Sequence, residues 1–311
     1  MIINTGMRTD IPAFYSTWLC NRIKEGYVYV RNPYYRNQIT KYSLNPNVVD
    51  CLAFCTKNPH PMISRISELD KYNQFWFITI TPYGKELEPN VPDKKVVIDD
   101  FKILSKHLGA DSVALRYDPI IITPKYSVQM HIKCFEKLLT QLRGYTKDCT
   151  ISFLDLYEKV KRNAPDLKTP TKSEQIEIAK AFAKIGKEND IIIHGCCEKD
   201  YLKEYGIDIT GCMNQEIVEK AIHNRIKVPK RKNQRIKCNC VLGNDIGVYN
   251  TCLHLCKYCY ANENEKLVEE NVRIHNEDSP LLIGKVENDD KITETKQESW
   301  IIDDNQIRLE I

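Results

Sequence analysis

The sequence predicts an α/β fold of about six βα units, a partial or complete TIM-like (βα) barrel, followed by a cysteine-rich C-terminal segment. Two observations lead there. Short apolar, β-branched runs alternate with longer stretches of helical pattern, as in a parallel sheet whose strands are joined by helices. Polar clusters follow those apolar runs, where (βα) barrels carry their functional groups. Beyond Asn224 the alternation stops and cysteines become frequent.

The expected strands are 2–5, 48–56, 75–81, 112–117, 149–154 and 190–194. Between them helices are expected at 12–24, 63–71, 98–108, 127–142, 172–188 and 215–222. The fifth is the clearest, because Thr171 or Ser173 can cap its start and Ile176, Ala179, Ala183 and Ile185 lie close to one face. Residues 27–30 and 38–43, separated by Asn32-Pro33-Tyr34-Tyr35, read as an inserted hairpin. The chain divides into a barrel domain (1–225), a cysteine-rich segment packed on it (226–285) and an acidic extension (286–311). Trp300, Ile301 and Ile302 favour docking of that extension onto the body.

Composition narrows the function classes. The net charge is only +3, and 42% hydrophobic with 28% charged residues is ordinary for a globular protein. No run of about 18 apolar residues occurs, so no membrane span is expected. From Glu263 onward the chain has 14 acidic and 6 basic residues, which leaves a basic body. The stretch from Lys227 to Lys237 holds six cations in eleven residues. It reads either as a contact for phosphates or as a solvated linker.

The 13 cysteines are an odd number, so complete intrachain pairing is impossible. Met1-Ile2-Ile3-Asn4-Thr5-Gly6 shows no secretory pattern. A cytoplasmic, reducing location is therefore expected, where clustered thiols read as metal-binding or redox groups. The sharpest signal is Thr251-Cys252-Leu253-His254-Leu255-Cys256-Lys257-Tyr258-Cys259-Tyr260. Cys252, Cys256 and Cys259 have the spacing C-x3-C-x2-C, which can hold three irons of a 4Fe-4S cubane and leave the fourth open to a chelating molecule; closed electron-transfer clusters use four thiolates. The competing assignment is zinc, with His254 as a further ligand. Upstream, Cys196, Cys197, Cys212, Cys238 and Cys240 form a second group. Cys197, Cys212, Cys238 and Cys240 would suffice for a second iron–sulfur cluster or a zinc ion. Cys20, Cys51, Cys55, Cys134 and Cys149 read as small buried hydrophobes.

The C-x3-C-x2-C spacing, with Tyr258 directly before the last cysteine, resembles the radical S-adenosylmethionine superfamily. That resemblance implies a 4Fe-4S cluster whose open iron binds S-adenosyl-L-methionine, and a reductase or a flavodoxin- or ferredoxin-type protein as electron donor. The blocks Arg8-Thr9-Asp10-Ile11-Pro12, Gly26-Tyr27-Val28-Tyr29-Val30, Thr56-Lys57-Asn58-Pro59, Leu87-Glu88-Pro89-Asn90, Arg116-Tyr117-Asp118-Pro119 and Asp245-Ile246-Gly247-Val248-Tyr249-Asn250 look like the bacterial domain-of-unknown-function family 1848. They run in order to Ser279-Pro280-Leu281-Leu282-Ile283-Gly284. The family implies a barrel with its cluster motif at the C-terminal end, and no known reaction.

Two features depart from the superfamily. Its cluster loop follows the first strand, whereas this one follows the sixth βα unit and must fold back over the strand ends. Its Gly-Gly-Glu is replaced by Thr56-Lys57-Asn58-Pro59. The expected enzyme places a substrate, anionic or nucleic acid, near Arg8, Asp10, Lys57, Asn58, Arg116 and Asp118, with Tyr258 beside the cluster. Each Arg–Asp pair reads equally as an ion pair that orders its loop. The alternative function is a non-catalytic nucleic-acid-binding protein with a structural zinc or iron–sulfur site.

Overall fold

A computed structural model describes residues 1–229, 238–241 and 243–302. Its centre is a seven-stranded sheet: β1 (Ile2–Asn4), β4 (Cys51–Thr56), β5 (Gln74–Thr79), β6 (Val113–Ile120), β7 (Asp148–Phe153), β8 (Ile192–Gly195) and β9 (Asn244–Asp245). The order across the sheet is β8-β7-β6-β5-β4-β1-β9, and every pairing is parallel. Among the described residues β8 and β9 are the two edges and the sheet is not closed. The hairpin β2 (Tyr27–Arg31) and β3 (Gln38–Ser43) forms a second, antiparallel sheet, extended in parallel by β10 (Lys291–Glu294).

Strands that follow one another in space in chain order, joined by right-handed crossovers, put their helices on one face. That face receives Ile3, Leu52, Phe54, Trp76, Ile78, Leu115, Tyr117, Ile151 and Ile193, all buried. Against it pack α2 (Ser16–Glu25), α4 (Lys94–Leu108), α5 (Val128–Leu142) and α7 (Lys172–Glu188) through Trp18, Phe101, Phe135 and Phe182. Phe135 and Phe182 stack with ring centres 3.6 Å apart. Local chemistry starts these helices. Thr171 and Glu174 form a reciprocal capping box on α7, Ser127 caps α5, and Asp93 accepts from the Lys95 amide at 2.8 Å to start α4 four residues before the expected position 98.

The alternate residues of the same strands form the opposite face. Near the strand starts it is apolar: Ile2, Cys51, Ala53, Phe75, Phe77 and Ala114 pack against Ile217, Val218, Ala221 and Ile222 of α8 (Gln215–Ile222). Further along, the same face carries Asn4, Cys55, Thr79, Arg116 and Thr150. The polar half lies toward the C-terminal ends of the strands.

Two expected helices are interrupted. Residues 12–24 divide into α1 (Ile11–Phe14) and α2 because Tyr15 leaves the helical region at φ −134°, and its hydroxyl donates to the Thr251 carbonyl at 2.7 Å. Residues 63–71 become a short α3 (His60–Ile63) and a 3₁₀ turn (Ile66–Leu69), separated where Arg65 turns out at φ −115° and bonds Glu68 and Thr17. The short α6 (Glu158–Asn163) and α9 (Glu265–Arg273) were not expected. Beyond β10, Ser299 and Trp300 bond the buried Asp50, which also pairs with the Met1 amine. Asp303, Asp304 and Glu310 lie outside the described residues, as do residues 230–237 of the basic stretch.

Candidate functional site

The route of the C-terminal segment builds the site. β9 adds beside β1, and the Ile246 amide continues that ladder to the Asn4 carbonyl at 3.0 Å. Asp245 accepts from the Met7 and Gly247 amides at 2.9 and 3.0 Å and faces the Arg8 guanidinium at 3.7 Å. Arg8 also lies over the Tyr249 ring, so it orders this crossing.

From Asn250 the chain turns over the ends of the parallel strands. The His254 imidazole meets Asp10 Oδ2 at 2.9 Å, and its carbonyl accepts from the Asn90 amide at 3.3 Å. Asn90 Nδ2 donates to the Leu253 carbonyl, and the Lys257 amide to the Leu87 carbonyl at 3.0 Å. Tyr260 donates to the Met7 carbonyl at 2.6 Å. The cysteine loop is thus seated on the segments that follow β1 and β5, with Asp10 linking it to the end of β4: the other lobe of its carboxylate caps α1 at Ala13, and Oδ2 also receives the Lys57 amide at 2.8 Å.

Cys252, Cys256 and Cys259 are all half-buried and close enough to interact electrostatically. The Ala261 amide points at the Cys259 sulfur at 3.3 Å, and the His254 amide bonds Cys252. Burial pushes the Cys256 thiol up to about 12, with Lys57 pulling it the other way. Burial also raises Cys252 well above a free thiol. Both thiols are therefore held in the protonated form, and binding a metal there would require them to lose their protons.

Beside the loop lies a buried ionic group. Glu88, 1% exposed, receives Lys57 Nζ at 2.8 Å and Thr81 Oγ1 at 2.5 Å, together with Lys94 and the Tyr258 hydroxyl. Burial opposes its charge, but Lys57 and Lys94 overcome that and hold its carboxyl at about 2. Lys57 also lies 5.7 Å from the Tyr258 ring centre. Thr9 Oγ1, Asn58 Oδ1 and Asn262 Oδ1 are buried with no hydrogen-bond partner.

The second group of thiols meets on the sheet face that α8 covers. Cys212 Sγ is 3.2 Å from Cys240 Sγ and 3.7 Å from Cys196 Sγ. Cys238 contacts both Cys240 and Cys197. Arg116, paired with Asp118, is within electrostatic reach of Cys55, Cys196 and Cys212. Among the described residues, no three or more His, Cys, Asp or Glu side chains already form a metal-holding set.

A family model for a domain of unknown function (DUF1848) matches residues 2–261. The chain belongs to this family. The DUF1848 match runs from β1 to just past Cys259 and so contains both thiol groups; it ends before the 279–284 block. No curated protein and no solved structure matches the chain.

Within the DUF1848 domain, Asp10, Lys57 and Tyr258 gather at the cysteine loop, and Asn58 follows Lys57 with its amide bonded to Thr56 Oγ1. Arg8 is committed to Asp245, and Arg116 with Asp118 stands beside the second thiol group. Glu88, Lys94 and the pairing of His254 with Asp10 were not foreseen. Glu88 was visible inside Leu87-Glu88-Pro89-Asn90, but nothing local distinguishes a buried carboxylate from a solvated one.

Proposed function

We propose that this DUF1848 protein is an iron–sulfur enzyme of radical S-adenosylmethionine type on a partial (βα) barrel. Cys252, Cys256 and Cys259 would hold a 4Fe-4S cluster. The observation that carries the reading is the seating of this loop across the C-terminal ends of the parallel strands, where (βα) folds do their chemistry. What supports this reading is the donor chemistry: three thiols share one loop, backbone amides point at two of them, and the Lys57 cation stands beside the third. When bound, such a cluster supplies an electron, received from a ferredoxin- or flavodoxin-type donor, to cleave the sulfonium of S-adenosylmethionine.

The chain's own residues do the rest. Asp10 fixes His254 and with it the loop. Glu88 fixes Lys57 and Tyr258, and Lys57 offsets negative charge at the thiolates. Asn58 Oδ1 offers a buried acceptor for an amino group, at the position where the superfamily carries Gly-Gly-Glu. Arg116 and Asp118 line the approach for the substrate.

Protein purified without oxygen should contain iron and inorganic sulfide and, once reduced, convert S-adenosylmethionine to 5′-deoxyadenosine. Replacing Cys252, Cys256 and Cys259 by alanine should remove both properties. Colourless protein that holds only zinc and shows no turnover would overturn the assignment.

A further inference from the structure

We infer a second, separate metal site: a single tetrahedral zinc ion held by Cys196, Cys212, Cys238 and Cys240. Around a zinc ion with Zn–S bonds of about 2.3 Å, tetrahedral geometry sets neighbouring sulfurs about 3.8 Å apart. The Cys212–Cys196 and Cys212–Cys240 separations of 3.7 and 3.2 Å are on this scale. In a cubane each thiolate binds its own iron, so the iron–iron spacing separates the sulfurs further. The geometry therefore selects one ion over a second cluster.

Cys196 takes the place that spacing alone assigned to Cys197. Cys196 reaches Cys212, whereas Cys197 reaches Cys238 and follows in a left-handed backbone conformation at φ +57°. Among the described residues no three of these thiols already form a metal-holding set, so the ion would have to draw them together. Arg116 beside Cys196 and Cys212 offsets the excess negative charge of four thiolates on a divalent ion.

The location gives the ion a task. Cys196 directly follows β8, one edge of the open sheet, and Cys240 lies four residues before β9, the other edge. Cys212 leads into Met213 and α8, which cover the face between them, and the Val241 amide bonds the Met213 carbonyl at 2.7 Å. A zinc ion here clasps both sheet edges to the helix between them.

The site is independent of the other three cysteines, and elemental analysis of the full chain separates the two. Wild-type protein should carry one zinc in addition to iron and sulfide. Cys196→Ser and Cys212→Ser should lose the zinc and keep the iron, Cys197→Ser should keep both, and the Cys252, Cys256 and Cys259 alanine variant should keep zinc alone. Cadmium-113 NMR of the cadmium-exchanged wild type needs no variant and should show an all-sulfur environment. Four irons with sulfide remaining in the alanine variant, a Cys212–Cys240 disulfide in place of metal, or zinc lost from Cys197→Ser but not from Cys196→Ser would each overturn the assignment.

Discussion

Glu88 joins the cysteine loop to the sheet, because one buried carboxylate receives Lys57, Lys94, Thr81 and Tyr258. Glu88→Gln leaves Lys57, 14% exposed, without its counter-charge. Removing one partner of such a pair should cost about 3 kcal/mol in urea unfolding at neutral pH. With the folded carboxyl at about 2 against 4.5 when free, the Glu88 contribution is complete above pH 4.5 and is lost as pH falls toward 2. The wild type minus Glu88→Gln difference should shrink over that window; a difference that persists unchanged at pH 2 would refute the pairing. Asp245 has the opposite sign. Burial raises it from 3.8 to about 6, so its contribution is complete below pH 3.8 and fades as pH rises through 6. Asp245→Asn should flatten that part of the stability profile, and an unchanged slope would place the titration elsewhere. The thiol spacings were legible in sequence, since they are local. The contacts of Glu88 were not, since they arise from residues many positions away.

Strand β9 depends on Gly243. A Cβ there would stand 2.4 Å from the Ile2 carbonyl oxygen, a backbone atom that cannot give way. Gly243→Ala should push β9 off β1, lower the melting temperature and speed amide exchange at Ile246. An unaltered melt would show that this edge does not hold the loop. Six strands were legible to within three residues at each end, because a parallel sheet buried on its helical face writes itself as apolar runs. The helix at 12–24 was legible as helix but not as two, since its break is made by a tyrosine whose partner, Thr251, lies at the other end of the chain. β9 and β10 were invisible, being short polar segments that become strands only by adding to edges already present.

The whole chain is tied end to end. β10 extends the hairpin sheet, and Ser299 and Trp300 share the buried Asp50 with the Met1 amine. A chain ending at Lys285 should therefore melt at a lower temperature yet keep its iron, because the DUF1848 match already contains every cysteine. Loss of iron on that truncation would mean that the extension also holds the cluster loop. The α/β class was legible because local periodicity encodes it. The fold-back of the loop was legible only as a requirement, and the contacts that satisfy it, His254 to Asp10 and Lys257 to Leu87, are long-range. An iron without a protein ligand is the central claim, and electron paramagnetic resonance of the reduced, oxygen-free protein addresses it directly. Adding S-adenosylmethionine should change the cluster signal in the wild type. A signal indifferent to S-adenosylmethionine would contradict an open iron at Cys252, Cys256 and Cys259.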